Sequence, residues 1–205
     1  MMLKLFFDNF RKKIEYLFAN SFFLKKHKSI MAELKKTYYL SGNLYATFFE
    51  INGLKEGEYN QYWESGNLFE NCNYVNGKKN GELTRFYNNG QLWVKCNYVD
   101  DKNIGSYVEY YDNGKIFVTF DSTDNEEKNY TVYNRDEQLI RICNFIDGKL
   151  NGECKEYYQS QDDYNGQLKI ICNYINGKLE GELKEYYEDG ELKEITNYIK
   201  GKKSK

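Results

Sequence analysis

The sequence has no proline, a single histidine, no Cys-x-x-Cys pair and no run of eighteen apolar residues. Each absence closes a class. His27 lies outside the repetitive part of the chain, so neither a Ser-His-Asp nor a Cys-His arrangement can be assembled within that part. The five cysteines, Cys72, Cys96, Cys143, Cys154 and Cys172, lack the spacing of a zinc site or of a thiol redox motif. Without a long apolar run no membrane-spanning helix is expected. A net charge of −2 over 205 residues predicts no overall attraction to nucleic acid. The residues interleaved with the tyrosines are largely acidic, which disfavours stacking on single strands as well. No phosphate-loop motif follows any glycine. The expectation is a protein without catalytic centre, cofactor or metal, and without a nucleic-acid partner.

What is abundant is aromatic: 21 Tyr and 13 Phe, with Asn and Gly punctuating the chain, the composition of β-structure with tight turns. Self-alignment divides residues 33–205 into seven units, 33–56, 57–80, 81–104, 105–127, 128–151, 152–180 and 181–205. Counting Gly57 as position one, position six is aromatic in every unit (Tyr38, Tyr62, Phe86, Tyr110, Tyr133, Tyr157, Tyr186). Position seven is aromatic in all but one, Asn134 being the exception, and position twelve is always Leu or Ile. Each unit carries two turn signals, for example Asn89-Gly90 and Asn76-Gly77, and both kinds predict two-residue type I′ hairpins. The predicted fold is an all-β repeat array: an elongated, twisted antiparallel meander of about seven β-hairpin repeats and about fourteen strands, with an N-terminal amphipathic helix. A two-residue turn at Asn89-Gly90 would pair Tyr87 with Leu92, Arg85 with Val94 and Leu83 with Cys96, and would set Phe86 and Trp93 on the opposite face. The candidate interaction face is therefore Tyr38, Tyr62, Phe86, Trp93, Tyr110, Tyr133, Tyr157 and Tyr186. A sheet this long is expected to twist and curl, with aromatics lining its concave side.

Four cysteines, Cys72, Cys96, Cys143 and Cys172, share position sixteen, and Cys154 lies elsewhere. Equivalent positions lie two strands, roughly 9–10 Å, apart, too far for a disulfide, so a buried ladder of free thiols is expected in a cytoplasmic protein. Glu58, Glu82, Glu153 and Glu182 recur after the first glycine of their units and read as a solvent-facing row. The acidic stretch 121–128 breaks the pattern and reads as a loop that divides the array, and Gln159 to Asn165 as a polar, lengthened hairpin tip.

Residues 1–36 hold nine Lys/Arg against Asp8, Glu15 and Glu33, a balance of +6 that leaves −8 for the rest. Within the N-terminal segment 1–32, Leu3, Phe6, Phe10, Ile14 and Leu17 recur at helical spacing, and Lys25, Lys26 and Lys28 form a cationic cluster with His27. Two readings stand open: this helix caps the sheet, or it lies on an anionic membrane surface.

Units such as Gly81-Glu-Leu-Thr-Arg-Phe-Tyr-Asn-Asn-Gly-Gln-Leu92 and Asn176-Gly-Lys-Leu-Glu-Gly-Glu-Leu-Lys-Glu-Tyr-Tyr187 resemble the MORN repeat, and most of all the variant seen in bacterial proteins labelled as antitoxin components. The resemblance covers about 33–205. It implies an elongated, curled sheet of hairpins serving as a protein-interaction, dimerisation or membrane-proximal module, and it brings no catalytic residues. The functional expectation is a non-enzymatic scaffold whose partner is a protein bound on the aromatic face. The alternatives are a membrane-peripheral adaptor anchored by the basic helix, or the antitoxin of a toxin–antitoxin pair.

Overall fold

The computed structural model describes residues 32–122, 128–159 and 166–204. Seventeen strand segments between Glu33 and Lys203 form one antiparallel sheet. Two strands are interrupted, at Asn80 and at Glu180, and Lys202–Lys203 is a two-residue edge. With each interrupted strand counted once and the edge set apart, there are the fourteen strands of seven hairpins, each paired with the strands that precede and follow it. Among the described residues there is no helix and no second layer.

The two kinds of turn are not alike. At the described turns that join units, both central residues have positive φ, as at Asn76 (51°) and Gly77 (80°), so the two-residue type I′ form predicted there is present. Asp100-Asp101 and Lys200-Gly201 adopt it as well. At the turns within units the sequence expectation was wrong. Asn89 is not among the residues of positive φ, Gly90 N–H donates to the Tyr87 carbonyl at 2.9 Å, and Tyr87 N–H to that of Gln91 at 2.9 Å. This is a three-residue loop closed by a left-handed Gly90 (φ 84°), the type I turn with a glycine bulge. Its consequence is a changed register: Phe86, not Tyr87, faces Leu92, and Trp93 becomes an extra residue before the Arg85–Val94 pair. The Leu83–Cys96 pair stands as predicted.

Residues 121–128 do not divide the sheet. Strands Ile116–Ser122 and Lys128–Tyr133 pair directly, with Thr119 opposite Thr131 and Val118 opposite Val132. What does divide is the core, into one cluster around Ala46, Tyr59, Cys72, Leu83, Val94 and Cys96 and another around Cys143, Cys154 and Cys172. A run of ring contacts fills the interval: Tyr107–Phe120 stacked at 4.4 Å, Phe120–Tyr130 tilted at 4.6 Å and Tyr130–Phe145 edge-on at 4.9 Å.

Candidate interaction surface

Every buried residue of the described chain stands at position three, fourteen or sixteen of its unit, and these positions share one face. That inner face buries its own centre: large side chains such as Trp93 at position thirteen and Tyr74 and Tyr98 at position eighteen pack against the buried residues. Positions seven and thirteen meet as ring pairs in the first four units, for example Trp63–Phe69 at 4.6 Å and Tyr87–Trp93 at 5.4 Å. Position seven also ties each unit to the next. Tyr39, Tyr87, Tyr111 and Tyr158 donate their hydroxyls, and Trp63 its indole N–H, to the position-six carbonyl one unit on, at 2.7–3.0 Å. In the fifth unit Asn134 breaks this ladder and instead accepts from Asp136 N–H and Gln138 N–H, closing its own turn. Tyr87→Phe keeps the ring and removes one rung, the bond to the Tyr110 carbonyl. The expected loss is about 1 kcal/mol, read as a lower urea midpoint with an unchanged slope.

The inner face is asymmetric at its second and third units. Glu70, 4 % exposed, accepts from Lys79 Nζ at 2.7 Å and from Arg85 Nε at 2.8 Å. Burial pushes its carboxyl upward, but those two bonds and the neighbouring charges outweigh this and hold it below the ordinary carboxylate range. Burial raises the Cys72 thiol to about 12, which leaves it unreactive at neutral pH. Beside it, Lys55 Nζ lies 4.3 Å from the Tyr59 ring centre, 4.9 Å from that of Tyr74 and 5.1 Å from that of Phe48, and desolvation lowers its pKa. Glu109 accepts from Trp93 Nε1 at 2.9 Å and from the Tyr107 hydroxyl at 3.2 Å. These polar groups pair with one another. Among the described residues no three His, Cys, Asp or Glu side chains gather as metal ligands do.

The thiol ladder needs correction. Cys154 occupies position three, which faces position sixteen of its own and of the preceding unit, so it sits between Cys143 and Cys172. Cys143 and Cys154 are joined by a disulfide, with Cα atoms 4.3 Å apart, while Cys72, Cys96 and Cys172 are free and buried.

The outer face holds positions two, four, six, twelve and seventeen. Here each position-six aromatic stands directly opposite the position-twelve aliphatic: Tyr38–Leu44, Tyr62–Leu68, Phe86–Leu92, Tyr110–Ile116, Tyr133–Leu139, Tyr157–Leu168 and Tyr186–Leu192. Trp93 does not belong with them. The bulge turns it to the inner face, where it stacks on Tyr87, bonds Glu109 and packs against the first core cluster. Glu58, Glu82, Glu153 and Glu182 are exposed along the same outer face. The N-terminal candidates Leu3, Phe6, Phe10, Ile14, Leu17, Lys25, Lys26 and Lys28, and the insertion at 160–165, lie outside the described residues. The position-seven ladder and the Glu70 ion pairs are the features that sequence reasoning missed. The first was signalled by the recurring second aromatic, the second by a Glu, repeated only as Glu194, at a position that holds Ala46, Val94, Val118 and Ile170 in other units.

Residues 55–76, 79–100 and 179–200 match the family described as MORN repeat variant. No curated protein matches the chain. Among solved structures it is similar to one titled "Crystal structure of GtfA/B complex bound to UDP and GlcNAc", 12 % identical over 82 % of this chain, with a TM-score of 0.21. The match spans 24 % of that structure's chain.

Proposed function

We propose that this chain, which carries MORN repeats of the variant type at residues 55–76, 79–100 and 179–200, is a non-enzymatic scaffold that binds a protein partner along its outer face. The observation that carries the reading is the aromatic–aliphatic pair repeated seven times on the face that does not supply the buried clusters. With two strands per unit the row spans roughly 55–60 Å. Tyr and Phe rings held at fixed intervals lose little entropy on contact, which suits them as interface anchors. A cytoplasmic location belongs to this proposal, and there the Cys143–Cys154 bridge would be reduced to two thiols.

The test replaces Tyr62, Phe86 and Tyr110 together by serine in the full chain and compares partners captured from lysate. Partner recovery is expected to fall by more than about tenfold, since each anchor lost from an interface costs on the order of 2 kcal/mol. An unchanged set of partners at unchanged yield would remove this face from consideration. Turnover found in a broad activity screen would overturn the non-enzymatic part.

A further inference from the structure

One hairpin of the array departs from the other six on its outer face. Leu34 stands where the other units carry Glu58, Glu82, Ser106, Asn129, Glu153 and Glu182. Phe49 stands where they carry five asparagines and Asp121, and Leu54 where five of the six carry lysine. In the turn, Leu40 replaces a polar residue found in every other unit. These substitutions are not scattered in space. Leu34 and Phe49 are direct cross-strand partners, and Leu54 pairs with Ile51 on the same face. Leu34 is 50 % exposed, Leu54 49 % and Phe49 36 %. A repeat that is polar at these sites six times and apolar once has acquired a contact at that one unit, because apolar surface left in water is unfavourable.

We propose that the outer face of the first hairpin is a seat for the chain's own residues 1–31. The described chain begins two residues before Leu34, so the segment enters at the edge of the patch. The helix predicted for residues 3–18 would be about 24 Å long, matching the roughly 26 Å of an eight-residue strand. Residues 19–32 reach up to about 45 Å extended, enough to fold the helix back over the sheet. Its apolar side, Leu3, Phe6, Phe10, Ile14 and Leu17, matches the patch. The seven Lys/Arg of residues 1–31 against Asp8 and Glu15 match the exposed Glu58 and Glu82 of the adjoining units on that face. This seat is separate from the position-six row and stands or falls independently of it.

The experiment is limited trypsin digestion of the full chain, following cleavage after Arg11, Lys12 and Lys13 by mass spectrometry. In one variant the patch takes residues of the other units (Leu34→Glu, Phe49→Asn, Leu54→Lys), a combination that four units of this array already carry. A second variant, Phe6→Ser with Phe10→Ser, leaves the array untouched. Both are expected to accelerate cleavage at these sites by at least about tenfold, as a docked segment becomes an exposed one, with cleavage of the repeats unchanged. Equal cleavage of the patch variant and the parent would overturn the seat, whatever the second variant does. Protection that appears only on adding phosphatidylserine vesicles would overturn it as well, in favour of a membrane contact.

Discussion

Glu70→Ala is expected to cost about 3 kcal/mol, the lower end of the range for removing one partner of a buried ion pair. The carboxylate is 5 % exposed at its side chain, but Lys79 and Arg85 keep 21 % and 34 %, so water recovers part of what the two cations lose. The same array supplies the control. Positions fourteen, twenty-three and five are filled elsewhere by Val94, Leu179 and Val132. Glu70→Val with Lys79→Leu and Arg85→Val therefore exchanges the ion cluster for a packing the fold already uses. Most of the lost stability is expected to return, as it does where a whole buried pair is replaced by apolar groups. If the triple variant is as unstable as Glu70→Ala, the cluster stabilises by more than mutual neutralisation. The pH dependence has a fixed sign. The folded carboxyl titrates below its unfolded value of about 4.3, so its contribution is complete above that pH and is lost as pH falls through the folded value. The parent and Glu70→Ala should converge in stability as the solution is acidified through that range, whereas the triple variant, which has no carboxyl there, should gain on the parent.

Leu83→Ala is expected to cost about 3 kcal/mol, whereas Leu92→Ala, on the outer face of the same hairpin, should cost about 1 kcal/mol. Leu83 is 1 % exposed and belongs to the cluster with Cys72, Val94 and Cys96, so truncation leaves a cavity. Leu92 is half-buried opposite Phe86, and solvent fills the space it vacates. Urea unfolding measures the difference. Because neighbouring units contact only one another, hydrogen exchange should show the loss concentrated in the second to fourth units, with the cluster around Cys143 little changed. Equal costs at the two leucines would contradict the assignment of inner and outer faces.

The repeat, its length and its antiparallel hairpins were legible because each rests on local chemistry recurring seven times. An Asn-Gly pair permits a left-handed backbone whatever surrounds it, and a strand alternates its faces by geometry alone. The Leu83–Cys96 pairing even contained the answer for Cys154: position three opposite position sixteen puts Cys154 against Cys172, and one strand back against Cys143. That step needed the register extended across the turn between units, not only within one.

What sequence could not decide was how Asn89-Gly90 would turn. Asn-Gly serves both a two-residue type I′ turn and a type I turn closed by a glycine bulge, and the choice moves Trp93 from one face to the other. The bulge lets Trp93 reach Glu109 and Tyr87 while Phe86 keeps Leu92 as its partner, a balance set by contacts sixteen and six residues away in the chain. Periodicity is written residue by residue, and it alone dictates a sheet of hairpins with two stripes of large side chains. Which stripe is buried follows from the folded chain, since burial depends on which neighbours each turn brings alongside. On that choice rests the assignment of the seven aromatic–aliphatic pairs to the outer face.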